Sequence, residues 1–142
     1  MSRLILANGD DHPEAAGKHL GDAQTLERGG RPDGAAYLAG YVVECCLKTL
    51  VLAESGRPWG HDLGTLVLEA SRLSAVAGAK TAKYVSDPAV QQLSTSSIAA
   101  WYPHQRYRAS GHISAAVATT WLGEATAIYG ATIVPMRLDG VL

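Results

Sequence analysis

Apolar residues recur along this chain at the helical period almost from end to end, and strand-like alternation is rare. In HPEAAGKHLGDAQTLERGG, Ala16, Leu20, Ala23 and Leu26 mark one face, Pro13 suits a first helical position, and Gly29 and Gly30 supply a stop. The next segment, RPDGAAYLAGYVVECCLKTLVLAESG, is the most apolar; Asp33 is placed to cap its start, and Gly56 ahead of Pro58 to end it. HDLGTLVLEASRLSAVAG predicts a third helix with Asp62 as cap, Leu63, Leu66, Val67, Ala70 and Leu73 as the buried stripe, and Gly78 as terminator. Asp87 and Pro88 signal a short fourth helix before a serine and threonine cluster that reads as loop. WYPHQRYRASGH is irregular because of Pro103 and Gly111. The last helix, within ISAAVATTWLGEATAIYGATIV, sets Val117, Trp121, Ala125, Ile128 and Thr132 on one face; Pro135 is expected to stop it and leave a loose tail.

The pattern predicts an all-α protein. At 142 residues it is one compact unit, with Trp121 and Tyr129 expected in core or dimer packing. A formal net charge of −1 argues against a broad electrostatic grip on nucleic acid and leaves only a local basic cluster for phosphates. The two cysteines, Cys45 and Cys46, are adjacent and cannot form an ordinary disulfide framework. With no CxxC or His-rich spacing, no metal or other cofactor is expected, and a reducing cytoplasm is the simplest setting. MSRLILANGDDHPE is too weakly apolar for a signal peptide, and no stretch approaches a membrane span, so a soluble protein is expected.

The second helix carries a feature that its composition does not explain. At about 100° per residue, Tyr37, Tyr41, Glu44 and Lys48 fall within an arc of roughly 60°. The rest of that helix is Leu38, Val42, Val43, Cys45, Cys46, Leu47, Leu50, Val51 and alanines, so other helices wrap it and the polar stripe is not simply a solvent face. Charges in such a place need partners. Glu44 and Lys48 could pair with each other at i, i+4 and edge the surface. Alternatively the stripe lines a cleft completed by WYPHQRYRASGH, where Arg106 and Arg108 stand among Trp101, Tyr102, His104 and Tyr107. Guanidinium groups bind phosphate bidentately and aromatic rings stack on bases, so this mixture suits a nucleotide.

AAYLAGYVVECCLK, followed by HDL and then RY, resembles the HEPN family of helical domains, as does the first helix with HLGDAQTL. The resemblance runs from about Pro13 to Val134, which implies a HEPN-like domain over residues 13–134, an N-terminal extension over residues 1–12 and a C-terminal tail over residues 135–142. It implies an up-and-down bundle of four or five helices, usually a homodimer. Many members are metal-independent endoribonucleases of toxin or defence type, working beside a minimal nucleotidyltransferase antitoxin; others are non-catalytic, with a nucleotide-binding or assembly role. Catalytic members carry Arg, four to six residues, then His, brought together with its copy across the dimer. Here Arg106 and His112 have five residues between them. Tyr107 and Ser114 replace the small polar residue and the tyrosine often found beside that motif, and Gly111 weakens a continuous helix through it.

Metal-free RNA cleavage uses the ribose 2′-OH as nucleophile and needs an acid or base near neutrality and a cation for the phosphorane. Imidazoles ordinarily titrate at about 6.5, so the resemblance casts His112 as acid or base, Arg106 as phosphoryl clamp, Glu44 as the group that orients either, and Lys48 or Arg108 as grips on neighbouring phosphates. In the competing reading Tyr41, Glu44, Lys48, His61, Arg106 and Tyr107 form a polar cleft that binds a nucleotide or braces the dimer, without turnover. His61 ahead of Asp62 and Leu63 also suits local hydrogen bonding at a helix start, His104 reads as exposed loop, and His112 suits a helix start or solvent position. In a third reading, the apolar last helix simply makes a dimer.

Overall fold

The computed structural model describes residues 1–142 and contains helices and turns but no strand. α1 spans His12–Arg28, α2 Pro32–Ala53 and α3 Leu63–Ser74. Two short helices, α4 (Ala82–Val85) and α5 (Pro88–Gln91), precede 3-10 turns over Leu93–Thr95, Ser97–Ala100 and Pro103–Tyr107; α6 (Ala115–Ala131) and α7 (Ile133–Leu138) complete the chain. The long helices form an all-α bundle in which α1, α3 and α6 pack around α2. Burial explains the order: Val42, Val43, Cys46, Leu47, Leu50 and Val51 of α2 are almost wholly enclosed, and Ala16 and Ala23 of α1, Leu63 and Leu66 of α3, and Ala125 and Ile128 of α6 close on them.

Two starts work as expected: Asp62 accepts from the Thr65 amide to begin α3 and Asp87 from Ala89 to begin α5. Asp11, accepting from the Glu14 amide at the start of α1, and Ser114, accepting from Val117 at the start of α6, supply two further caps. Gly30, at φ +68°, turns the chain between α1 and α2, with the Gly30 and Arg31 amides donating to the carbonyls of Glu27 and Leu26. So short a connection makes α1 and α2 antiparallel neighbours.

Four expectations are corrected. Asp33 does not cap α2: Pro32 takes the first helical position, Arg31 becomes the cap residue without a side-chain bond, and the Asp33 carboxylate is released for another task. At the other end of α2 the left-handed residue is Ser55, at φ 59°, not Gly56. Gly56 is small for space instead, since a Cβ there would stand 2.7 Å from Leu73 Cδ1 and Val51 Cγ1. Pro135 does not leave a loose tail. Its ring excludes the carbonyl four residues back, so the helix breaks earlier, at Thr132 (φ −119°, ψ −76°), and resumes as α7 with Pro135 in its first turn. Met136 is then buried, Val141 and Leu142 pack on the core, and the Arg3 guanidinium donates to the Gly140 carbonyl at 2.7 Å. Finally, the serine cluster is not open loop: Glu124 accepts from the Ser97 and Ile98 amides at 3.0 and 2.7 Å, and the Trp121 indole donates to Ser97 Oγ at 2.8 Å.

Against the expectation that no stretch approaches a membrane span, α2 is long and apolar enough, by length and composition, to cross one. Its most apolar window is 78% buried within the protein, which is what a wrapped core helix gives.

Candidate functional site: a buried carboxylate and an arginine-histidine groove

Glu44 and Lys48 lie on the same face of α2 one turn apart, and both are nearly enclosed, at 3% and 9% exposure. Lys48 Nζ stands 2.8 Å from Glu44 Oε1. His61 Nδ1, on the segment between α2 and α3, lies 2.9 and 3.0 Å from the two oxygens of the same carboxylate, placed to donate to it. Glu44 and Lys48 therefore pair with each other at i, i+4, as one reading of the sequence expects, but buried instead of at the surface, and with His61 they tie the α2–α3 connection back to the centre of α2. His61 reaches seventeen residues away instead of serving its own helix start.

Tyr41, one turn before Glu44, packs its ring against Trp101 at 5.0 Å and Tyr37 at 5.2 Å, with His19 and His61 at 5.6 and 6.5 Å. Its hydroxyl meets that of Tyr37 at 3.3 Å. Burial, with help from that hydrogen bond, pushes the Tyr41 phenol well above its ordinary range. Arg106 and Tyr107 do not join this network. Arg106 Nε donates to the Pro103 carbonyl at 3.2 Å, its guanidinium lies 5.4 Å over the Tyr107 ring, and Tyr107 is 74% exposed with His104 at its edge. The single cleft expected from the sequence is divided in two.

The second part is an open groove at the start of α2. Two anchors build it. Trp101 is buried and its indole donates to the Tyr37 carbonyl at 3.0 Å, which seats the Pro103–Tyr107 turn on α2. Gly40 makes that approach possible, for a Cβ there would stand 2.0 Å from the indole. The other anchor is Asp33, which accepts from the Gly111 amide at 2.6 Å and the Ile113 amide at 2.9 Å, with His112 Nδ1 at 3.1 Å from the same carboxylate. The two backbone bonds, first Gly111 and then Ile113, hold the Asp33 carboxyl below the usual carboxylate range.

Between the anchors lies a concavity of about 530 Å³, lined by Arg31, Asp33, Tyr37, Arg106, Arg108 and His112 together with Leu26, Gln105 and small residues. Three arginines and one carboxylate line it, and that carboxylate is already engaged. With Nδ1 turned to Asp33, Nε2 is the His112 nitrogen left for a ligand or a proton. A second concavity of about 500 Å³ adjoins, lined by Ala100, Tyr102, His104, Gln105, Arg108 and His112. Arg106 and His112 thus stand on one groove of one chain. They do so from a turn and a loop, not from a helix, since Gly111 has φ +87°.

Of the residues proposed from sequence, the structure gathers Arg106, Arg108 and His112, gathers Tyr41, Glu44, Lys48 and His61 separately, and leaves Tyr107 beside the first set as the platform under Arg106. Asp33 and Arg31 were missed. The signal was present in RPDG, because proline in the first helical position makes Arg31 the cap and frees Asp33. No group of three or more His, Cys, Asp or Glu side chains is placed to hold a metal ion. Cys45 and Cys46 are free and buried, and burial pushes each thiol up to about 12.

An all-α bundle with a wrapped central helix defines the class. The HEPN domain is the family whose model matches, over residues 10–133, and the chain belongs to that family. No curated protein and no solved structure matches it.

Proposed function

We propose that this HEPN protein is a metal-independent endoribonuclease of toxin or defence type, cutting RNA at the groove that holds Arg106 and His112. One observation carries the reading: both residues line the same open groove, and Asp33 stands 3.1 Å from Nδ1 of His112, which leaves Nε2 for chemistry. In the proposed step the ribose 2′-OH attacks the adjacent phosphorus while His112 Nε2 takes its proton. The new O2′–P bond forms as the P–O5′ bond breaks, giving a 2′,3′-cyclic phosphate and a 5′-hydroxyl whose oxygen receives a proton from the imidazolium or from water. Arg106 stabilises the phosphoryl oxygens, and Arg31 and Arg108 hold neighbouring phosphates.

The reading includes a homodimer in the cytoplasm, with a nucleotidyltransferase antitoxin as partner. Support for a second copy comes from α6, whose outer face exposes Ala116, Thr120, Gly123, Ala127 and Gly130 at helical spacing. A mid-helix glycine costs about 1 kcal/mol against alanine, and nothing in the chain itself approaches Gly123 or Gly130. Close contact with a second helix would use both.

A second reading, a non-catalytic nucleotide-binding module, is favoured by the loop setting of the motif and by Arg106 Nε being engaged by Pro103. RNA cleavage in EDTA by wild type, Arg106→Ala and His112→Ala separates the two. Cleavage lost in both variants, with dimerisation and folding intact, supports the nuclease; no cleavage by wild type on several RNAs leaves the binding module.

A further inference from the structure

The two concavities share Gln105, Arg108 and His112, so the second is an extension of the groove beyond the proposed catalytic histidine. At about 500 Å³ it falls within the roughly 300–1,000 Å³ typical of small-ligand sites. Resting on the reading above, we propose that it is a base-binding subsite for the nucleotide next to the scissile phosphate, with Tyr102 as the residue on which the base stacks.

Tyr102 has the properties such a platform needs. It is 51% exposed, and its ring forms no aromatic pair and no hydrogen bond within the chain, whereas Tyr107 is engaged by Arg106 and His104. Its backbone is nevertheless fixed, because its neighbours Trp101 and Pro103 are both buried and Trp101 is bonded to α2. A ring held by a rigid, extended backbone loses little freedom on stacking. Arg108 lines both concavities and can follow the phosphate between them. A base on Tyr102 with its phosphate at His112 must be unpaired, since a duplex keeps bases in the stack. The subsite would thus select single-stranded segments with little preference among bases, because every base offers a π-face.

The test measures binding without turnover, using a fluorescein-labelled DNA hexamer, which lacks the 2′-OH, and an abasic oligomer of equal length. Stacking of one base is worth about 5- to 150-fold in affinity. Tyr102→Ala should weaken the hexamer within that range, leave the abasic oligomer unchanged and keep its thermal midpoint, while Tyr102→Trp should restore binding. If Arg106→Ala and Arg108→Ala weaken the hexamer and Tyr102→Ala does not, the subsite is wrong and the groove reading stands. If Tyr102→Ala weakens both oligomers equally, the residue acts through the fold and the proposal fails. Absence of hexamer binding by wild type overturns both, whereas Tyr102-dependent binding without RNA cleavage upholds the subsite and removes the nuclease.

Discussion

The Asp33 carboxylate stands 3.1 Å from His112 Nδ1 while accepting the amides on either side of it, Gly111 and Ile113. One side chain from the first turn of α2 therefore sets both the path of the loop and the orientation of the imidazole. Loss of orientation at a reacting group costs about a hundredfold in rate. Asp33→Ala should lower RNA cleavage by about that factor while the protein remains folded, since the bonds are near the surface. Asp33→Asn keeps an acceptor for one amide but not the charge beside His112, so it should fall between. Full activity in Asp33→Ala would show that the loop holds itself.

The Glu44 carboxylate is the only partner of Lys48 within bonding distance, and both are buried. Removing one member of a buried pair leaves an uncompensated charge, at a cost of about 3–5 kcal/mol. Glu44→Ala should lose stability on that scale in urea titration. Glu44→Leu with Lys48→Met replaces the pair by apolar volume and should recover most or all of it, with His61, half exposed, turning to water. Both variants should retain binding at the groove. A loss of hexamer binding in the well-folded double variant would instead place Glu44 in the site, as the sequence reading had it.

How much was readable follows from what each signal can reach. The helical period found α1, α2, α3 and α6 because a buried face repeats locally, and the cap residues Asp62 and Asp87 mark boundaries within three residues of themselves. The Glu44 and Lys48 pair was readable as a pair for the same reason. Asp33 was misread because its partners are 78 and 80 residues away and nothing in the chain marks that distance. The expected single cleft failed on packing: Tyr41 and Trp101 fill against each other and Tyr37 beside Gly40, and a one-dimensional stripe cannot say whether aromatic volume opens a cleft or closes it.

Gly40 and Trp101 make the sharpest packing prediction. A methyl group at residue 40 would fall inside the indole, 2.0 Å from Cε2, so the ring must leave its bond to Tyr37 or α2 must shift. Overpacking of this kind costs typically about 1–3 kcal/mol. Gly40→Ala should therefore unfold earlier, despite the better helix propensity of alanine, and should move the tryptophan emission of the folded state toward the red. Because the Arg106 turn rides on Trp101, oligonucleotide binding should fall as well. An unchanged urea midpoint and spectrum would mean that the close approach is relaxed in solution.

Acid should destabilise the protein in two stages. Desolvation, followed by the nearby Lys48 for His12 and Lys18 for His19, lowers both histidines below their ordinary value in the folded state. The unfolded chain then takes up protons first, near the reference value of about 6.5, so stability falls as pH drops through that value and levels off below the folded pKa values. Asp33, Asp62 and Asp139 are lowered by the Gly111 amide, the Thr65 amide and Lys83 respectively. Stability from these carboxylates is present above the unfolded value, about 3.9, and is lost as pH falls through the lower folded values. Urea midpoints taken from about pH 8 down to about pH 2.5 should therefore show a first decline around the histidine range. That decline should shrink in His12→Gln with His19→Gln. The second, below about pH 4, should shrink in Asp33→Asn with Asp139→Asn. A midpoint that stays level from about pH 8 to about pH 5 would mean that neither histidine is desolvated by the fold.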